Sequence, residues 1–201
     1  MKLLSLEIQT TGLSPSKHDV LEVGMVWDDL SCKEQPLQAP FRAVVVRETY
    51  RISPFWVIMH KGIFDDIDSL TKTQLGELEG VGYIRIENTF YCKERFLIKL
   101  MHEWLVEQGM TGTLNLAGRN LEFYLKFLDY LCYKRYICQF PCIIDPAILY
   151  YEKGDECLPD ITQCIQRAKR DGADISTAVS DAQILSELVR FSLDPELGDQ
   201  Q

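Results

Sequence analysis

Residues 5–15, SLEIQTTGLSP, carry the strongest local signal in the chain. An apolar run over residues 3–8 contains one acid, Glu7, and leads into a turn rich in threonine, glycine, serine and proline. This pattern predicts a strand that ends in a tight turn. A carboxylate at the end of such a strand indicates either a working active-site acid or the remains of one.

Length, composition and charge restrict the class of protein. The chain has 201 residues, of which 46% are hydrophobic, enough to bury the core of one domain. Its formal net charge is -9, which opposes sequence-independent attraction to phosphate backbones, so any nucleic-acid contact must be local. Seven scattered cysteines without a CxxC pair favour reduced thiols and a cytoplasmic location. The N-terminal apolar run is too short for an export signal or a membrane span.

The apolar patterns predict an α/β domain with a mixed sheet. The expected strands are residues 3–8, 20–27 and 41–46 as neighbours, then 113–118 and 141–145; the expected helices are 92–109, 120–136, 158–172 and 176–193. Asn120 is expected to cap its helix. Residues 53–62 read as a loop leading into a short helix, and residues 65–88 give no clear pattern.

Four segments in this order resemble the DEDDh branch of the DnaQ-like 3′-to-5′ exonucleases. Residues 7–13, EIQTTGL, resemble the family's Asp-x-Glu-Thr-Thr-Gly-Leu, and VLEVGMV (20–26) resembles its second strand. LAGRNLEFYLKFL (116–128) is similar to Gly-His-Asn-x-x-Phe-Asp-x-x-Phe-Leu, and STAVSDA (176–182) to His-x-Ala-x-x-Asp-Ala. The resemblance implies an RNase H-like mixed β-sheet flanked by α-helices over residues 1–193, with a flexible acidic tail at 194–201.

The family's chemistry, as the resemblance implies it, is hydrolysis of a terminal phosphodiester by two Mg²⁺ or Mn²⁺ ions about 4 Å apart, held by four acids and assisted by a histidine base. The positions that correspond in this chain are Glu7, Gln9, Tyr124, Ser176 and Asp181. Glu7 and Asp181 remain as acids, whereas Ser176 replaces the base. A neutral amide and a phenol are poor substitutes for carboxylates around hard cations. We therefore expect either no cofactor or weakly bound Mg²⁺ or Mn²⁺ on Glu7 and Asp181.

Nearby acids and histidines do not obviously restore the site. Glu122 lies about 200° around the helix from Tyr124, and Asp129 lies more than a turn away. Among the three histidines only His60 is placed to approach. Tyr124 itself could stack on a base, fill the space of the metals or hydrogen-bond Glu7, with space filling as the default.

The resemblance also implies substrate contacts from Thr10, Thr11, Gly12 and Leu13, together with Asn120 and His60. The turn would present backbone amides to the terminal sugar, and Leu13 would wedge against a base. The structural alternative is a tight turn in which Gly12 permits a positive φ and Leu13 simply packs. Segment 51–63 resembles the family's His-Gly-Ile loop, but Lys61 separates His60 from Gly62.

These observations predict a catalytically impaired exonuclease-fold protein that acts as a binding module. The acidic composition favours a protein partner over a single-stranded nucleic-acid 3′ end, and the family resemblance also allows a homodimer. The alternative is an active 3′-to-5′ exonuclease of DNA or RNA with a rearranged site that uses Glu7, Asp181, Gln9 and another base. The lack of a glycine-rich phosphate loop, a nucleophile elbow or zinc spacing argues against an unrelated small-molecule enzyme.

Overall fold

The computed structural model describes residues 2–32, 39–110, 114–135, 142–168 and 177–193. Ser176 and the predicted tail at 194–201 lie outside the described residues, as do the last residue of the predicted 120–136 helix and the first of the 141–145 strand. None of the helices in these ranges is long and apolar enough to cross a membrane.

Seven strands form one mixed sheet in the order β4-β5-β3-β2-β1-β6-β7. They are β1 (Lys2–Thr10), β2 (Val20–Asp29), β3 (Phe41–Val45), β4 (Tyr83–Ile86), β5 (Thr89–Cys92), β6 (Asn115–Ala117) and β7 (Cys142–Ile144). β2 pairs antiparallel with both β1 and β3, whereas β6 pairs parallel with β1 and with β7. The predicted mixed sheet is confirmed, with the predicted first three strands side by side.

Helices cover both faces of the sheet. They are α1 (Pro54–Met59), α2 (Lys61–Asp68), α3 (Lys72–Val81), α4 (Glu94–Glu107), α5 (Leu121–Tyr130), α6 (Pro146–Leu149), α7 (Ile161–Arg167) and α8 (Ala178–Leu193). Alternate residues of a strand point to opposite faces. Leu4, Leu6 and Ile8 of β1 accordingly share a core cluster with residues of α4 and α5, whereas Leu3 packs with Val189 of α8.

The long helix α8 approaches β2 closely because residue 24 is glycine. A Cβ at Gly24 would lie 2.2 Å from the backbone of Ala178, the first residue of α8. The neighbouring Glu22 accepts a hydrogen bond from the Ala178 N–H at 3.0 Å. Since Gly24 pairs with Glu7 across the β1-β2 ladder, the start of α8 is held beside the end of β1.

Three local predictions need correction. Residues 54–59 form helix α1 where a loop was expected, with Pro54 in its first turn. The predicted 120–136 helix ends at Tyr130, because Cys132 takes a positive φ of 63° and a separate 3₁₀ turn follows. Asn120 lies at the cap position of α5, but its own φ of 52° is left-handed and its side chain makes no capping bond.

Residues 65–88, which gave no clear pattern, contain α3 and β4. A readable signal was present in the capping box of Thr71 and Gln74 at the start of α3. The end of that helix was also marked by Gly82, which adopts a left-handed φ of 93°.

Candidate functional site

Strand β1 delivers Glu7 and Gln9 to the same face of the sheet. Glu7 is 8% exposed, and burial raises the pKa of its carboxyl group to about 8, against an opposing effect of its hydrogen bond to Tyr124. A carboxyl group in this state is protonated at neutral pH. Glu7, the predicted first acid of the site, therefore has little tendency to hold a negative charge.

Tyr124 reaches Glu7 from helix α5. Its phenol O–H donates a hydrogen bond to Glu7 Oε1, and Tyr124 is also part of the main core cluster. Burial and the interaction with Glu7 both raise the pKa of Tyr124, so the phenol stays neutral. Of the three roles considered for Tyr124, the structure combines space filling with a bond to Glu7.

Gln9 and Asp181 form the other half of the site. Asp181 lies in the first turn of α8, and Gln9 Nε2 donates to Asp181 Oδ2 at 3.4 Å. A glutamate at position 9 would meet Asp181 as a second anion, whereas the amide meets it as a donor. Glu7 and Asp181 are thus each hydrogen-bonded to a neutral residue at another of the predicted acid positions.

A cavity of about 300 Å³ lies at this point, and Gln9 is not part of its wall. It is lined by Glu7, Arg119, Asn120, Tyr124, Ile161, Asp181 and Leu185. Four of the residues singled out in the sequence therefore share its wall: Glu7, Asn120, Tyr124 and Asp181. Arg119 was missed, although the sequence shows an arginine where the similar Gly-His-Asn segment has its histidine. The apolar lining residues Ile161 and Leu185 come from α7 and α8.

The turn after β1 lies outside this wall and is held by its own hydrogen bonds. Thr10 Oγ1 donates to the Gly12 carbonyl at 2.8 Å, and the Asp19 N–H donates to Thr11 Oγ1 at 2.8 Å. Gly12 does not take the positive φ that glycine permits. A Cβ at this position would lie 2.3 Å from the His18 ring, so a larger residue would require that ring to move. Leu13 is 73% exposed, so it does not pack in the core.

His60 lies between α1 and α2, where Trp56 stacks on it with ring centroids 5.6 Å apart. Burial lowers the pKa of His60, and a hydrogen bond with the backbone of Thr10 opposes that shift. The imidazole is therefore fixed next to the turn after β1. It is not part of the cavity wall.

The donor set does not fit a pair of divalent cations. Among the described residues, no group of three or more histidine, cysteine, aspartate or glutamate side chains is arranged to hold a metal. Glu122 is 82% exposed and pairs with Lys126, and Asp129 pairs with Lys134 at 2.7 Å, so neither replaces a missing ligand. Hard cations require several anionic oxygens, and the cavity wall offers two carboxyl groups beside a guanidinium.

The fold is shared with solved structures at low sequence identity. The nuclease domain of 3′hExo, a DEDDh family member bound to rAMP, aligns with a TM-score of 0.67 and 13% identity over 98% of this chain and 94% of that one. Cell-death related nuclease 4 (CRN-4) aligns at 0.65 and 10% over 96% and 64%. S. pombe Pop2p in its Mg²⁺ and Mn²⁺ bound form aligns at 0.59 and 10% over 99% and 86%.

The sequence matches no protein-family model and no curated protein closely enough to assign a family. Identities of 10–14% to the solved structures carry information about architecture alone. These matches nevertheless cover 96–99% of this chain with TM-scores of 0.59–0.67. The chain therefore has the RNase H-like fold of the DEDDh-type 3′-to-5′ exonucleases.

Proposed function

We propose that this protein is a catalytically impaired member of the exonuclease fold that acts as a binding module. One observation carries the proposal: both retained acids are hydrogen-bonded to the neutral residues that replace the other two. Tyr124 donates to Glu7, and Gln9 donates to Asp181. The site is thereby satisfied by protein donors in the positions where the family needs anionic ligands for metals.

Catalysis would require the hydrogen bonds of Glu7 and Asp181 to be broken. A metal ion bound by Glu7 must compete with the Tyr124 hydrogen bond and must also ionise a buried carboxyl group. Serine at position 176 cannot act as the general base of the family, a loss that costs about 10²- to 10⁴-fold in rate. Each deficit alone would slow hydrolysis, and both act on the same step.

An exonuclease assay tests the impairment directly. Single-stranded DNA and RNA carrying a label near the 3′ end are incubated with the wild-type protein and Mn²⁺, in parallel with the Glu7→Ala, Asp181→Ala double variant. We expect no shortening above the level of the double variant. Shortening by the wild type alone would overturn the proposal and favour the alternative, an active exonuclease with a rearranged site.

A specific feature supports that alternative enough to keep it as the second candidate. His60 is an imidazole placed beside Thr10, close to the end of β1, and its Nε2 atom is buried without a hydrogen-bond partner among the described residues. A rearranged site would use His60 as its base with Glu7, Asp181 and Gln9 near the metal. If shortening is observed, His60→Gln separates the two cases, since loss of activity in that variant identifies the base.

A protein partner is the ligand class that we favour. Helix α1 has no buried residue, and its apolar side chains are largely exposed, with Phe55 at 63%, Ile58 at 75% and Met59 at 62%. Contiguous exposed apolar surface marks interaction sites, and the net charge of -9 disfavours a nonspecific polyanion. We propose a second copy of this chain as the first partner to test on this face.

Sedimentation equilibrium over a range of concentrations provides that test. A homodimer through α1 should dissociate in Ile58→Asp and persist in the control Lys126→Asp, which changes a charge on the solvent-facing side of α5. A monomer at all concentrations would contradict homodimerisation.

A nucleic-acid 3′ end is the other ligand class. A solved 3′-exonuclease of this fold specifically recognises the 3′ end of a histone mRNA stem-loop. In this chain the cavity wall includes one arginine, Arg119, which could contact a phosphate. Binding through phosphates weakens steeply as salt rises. We therefore propose to separate the two classes by measuring oligonucleotide binding at increasing salt, where a salt-insensitive or absent signal favours a protein partner.

The unpaired state of the six described cysteines is compatible with the proposed cytoplasmic location.

A further inference from the structure

Helix α1 lies on the surface as a strap whose flanking residues bind the turn segment, residues 10–19, between β1 and β2. None of the residues of α1 is buried. Arg51, which precedes the helix, and His60, which follows it, both contact the turn segment. The position of α1 therefore depends on these two flanking residues.

Arg51 anchors the start of the strap through Asp19. Its backbone N–H donates to Asp19 Oδ2 at 2.7 Å, and its guanidinium donates to Asp19 Oδ1 at 2.6 and 2.9 Å. The same guanidinium donates to the carbonyls of Ser16 and His18 at 2.9 and 3.0 Å. Burial tends to raise the pKa of Asp19, but the bonds and charge of Arg51 lower it. This anchor therefore stays charged in mild acid.

His60 anchors the other end of the strap, at the junction where α1 ends and α2 begins. Its ring stacks on Trp56 with centroids 5.6 Å apart and an interplanar angle of 11°. The imidazole also has a hydrogen bond with the backbone of Thr10. Its Nε2 atom is buried and has no hydrogen-bond partner among the described residues.

In the described part of the chain, no carboxylate compensates a proton on this ring. Burial lowers the pKa of His60, and only the Thr10 bond opposes that shift. Helix α1 contains no ionisable side chain. The ionisable groups on the adjoining elements are engaged or neutral: Lys61 pairs with Asp65 on α2, Asp19 pairs with Arg51, the His18 ring bonds to Ser14, and the pKa of Glu7 on β1 is about 8.

Protonation works against the anchored position of His60. An imidazolium carries donors on both nitrogens, so Nε2 would hold a buried donor without an acceptor. Stacking on Trp56 favours the cation, but such a half-exposed contact gains less than a buried charged donor without a partner loses. A released imidazole has a pKa of about 6.5. The anchored position is therefore fully favoured above that value and becomes less favoured as pH falls below it.

We propose that His60 is an acid-released anchor of α1. In mild acid, protonation detaches the end of α1 from Thr10, whereas Arg51 still holds the start of the helix. The exposed apolar face of α1 then changes position with pH. That last consequence regulates the partner surface proposed above and rests on that proposal, but the anchor itself needs no partner.

Hydrogen–deuterium exchange at about pH 7 and about pH 5.5, followed by mass spectrometry and corrected for the intrinsic exchange rate, tests the anchor. The lower value lies below the pKa of a free imidazole and above those of free carboxylates. The N–H groups of Val57 and His60 bond within the strap and should lose about three- to tenfold of their protection at the lower pH. Tenfold is about the limit at one unit below the free imidazole value. Protection of α4 should not change.

His60→Gln removes the titrating ring and should make the protection of α1 independent of pH. His102→Gln is the matched control, since it removes a histidine from α4, and it should show the wild-type loss. The inference is overturned if wild-type α1 is equally protected at both pH values, or if His60→Gln keeps the wild-type pH dependence. Either result leaves the nuclease assay and the sedimentation test unaffected, because both are performed at neutral pH.

Discussion

Tyr124 is the residue on which the state of the site depends most directly. It is buried in the core, yet its phenol donates to a buried carboxyl group. A buried acceptor that loses its donor bears a desolvation penalty that the folded protein cannot recover from water. The same phenol thus stabilises the fold and is hydrogen-bonded to the Glu7 oxygen that a metal ion would need as a ligand.

Tyr124→Phe should lower the free energy of unfolding by about 1–3 kcal/mol, because Glu7 is left without its buried donor. The control Tyr130→Phe removes a hydroxyl from an exposed position of the same helix, where Tyr130 is 59% exposed, and should change stability by less than about 0.5 kcal/mol. Urea denaturation measures both. Equal stabilities of the two variants would contradict the assigned role of the Tyr124 hydroxyl.

Asp19 should make folding stability depend on pH in acid. Burial tends to raise the pKa of this carboxylate, but hydrogen bonds from Arg51 and the charges of Arg51 and Arg47 outweigh it and lower the pKa. Arg51 Nε and the Arg51 backbone N–H donate to it at 2.9 and 2.7 Å. A lowered folded-state pKa means that the stabilisation is complete above the unfolded value of about 3.9 and is lost as pH falls through the folded value.

Asp19→Asn should therefore cost about 1–3 kcal/mol near pH 7, and the difference from the wild type should shrink as the pH falls below the unfolded value of about 3.9 and through the lowered folded value. Denaturant titrations over this pH range provide the measurement. Asp129→Asn serves as the control, since its surface pair with Lys134 is worth less than about 1 kcal/mol. A difference at position 19 that is independent of pH would show that the Asp19 charge is not involved.

At the level of elements, the contact between β2 and α8 positions the site. Gly24 permits the approach, and two charged residues fix it: Glu22 binds the first N–H of α8, and Asp28 accepts from Arg190 Nε at 3.0 Å. All three β2 residues have even numbers, so they share the face that meets the helix. The segment that carries Asp181 is therefore placed by a strand that contributes no residue to the cavity wall.

Gly24→Ala should destabilise the protein by about 3 kcal/mol or more, because the added methyl group meets the backbone of Ala178 and not a movable side chain. Gly76→Ala in α3 is the matched control. A Cβ at Gly76 has no neighbour within 4 Å, so that change should stabilise the helix by about 0.5–1 kcal/mol. Thermal unfolding of both variants tests the prediction, and similar melting temperatures would refute the close helix approach.

At the scale of the whole molecule, a metal site in this cavity would need acidic side chains from several separate elements. The variant Gln9→Glu, Tyr124→Asp, Ser176→His restores the family pattern at three positions, and we expect it to bind Mn²⁺ at least about tenfold more tightly than the wild type. The control replaces Tyr124→Asp with Tyr130→Asp, which adds an acid to the exposed side of α5. Manganese binding is measured by titration calorimetry, and no detectable binding in the restored variant would contradict the proposed correspondence of positions.

Much of the architecture could be predicted from local patterns, because apolar periodicity records which face of each element is buried. The three leading strands and the amphipathic helix at 94–107 follow from such patterns. The short helix at 54–59 could not be predicted in this way. Its residues are all apolar and none is buried, so the sequence shows no alternation of apolar and polar residues there. The early end of α5 was also hidden, because the left-handed residue there is a cysteine, which has no intrinsic preference for that conformation.

The sequence alone determined the residue types at positions 7, 9, 124, 176 and 181, which the resemblance relates to the acids and the base of one family. Only the tertiary structure decided which of these side chains contact each other. The bond between Tyr124 and Glu7 spans 117 residues, and that between Gln9 and Asp181 spans 172. Local patterns contain no information on such pairings, because they arise only when the packing of α5 and α8 against the sheet brings those side chains to the end of β1.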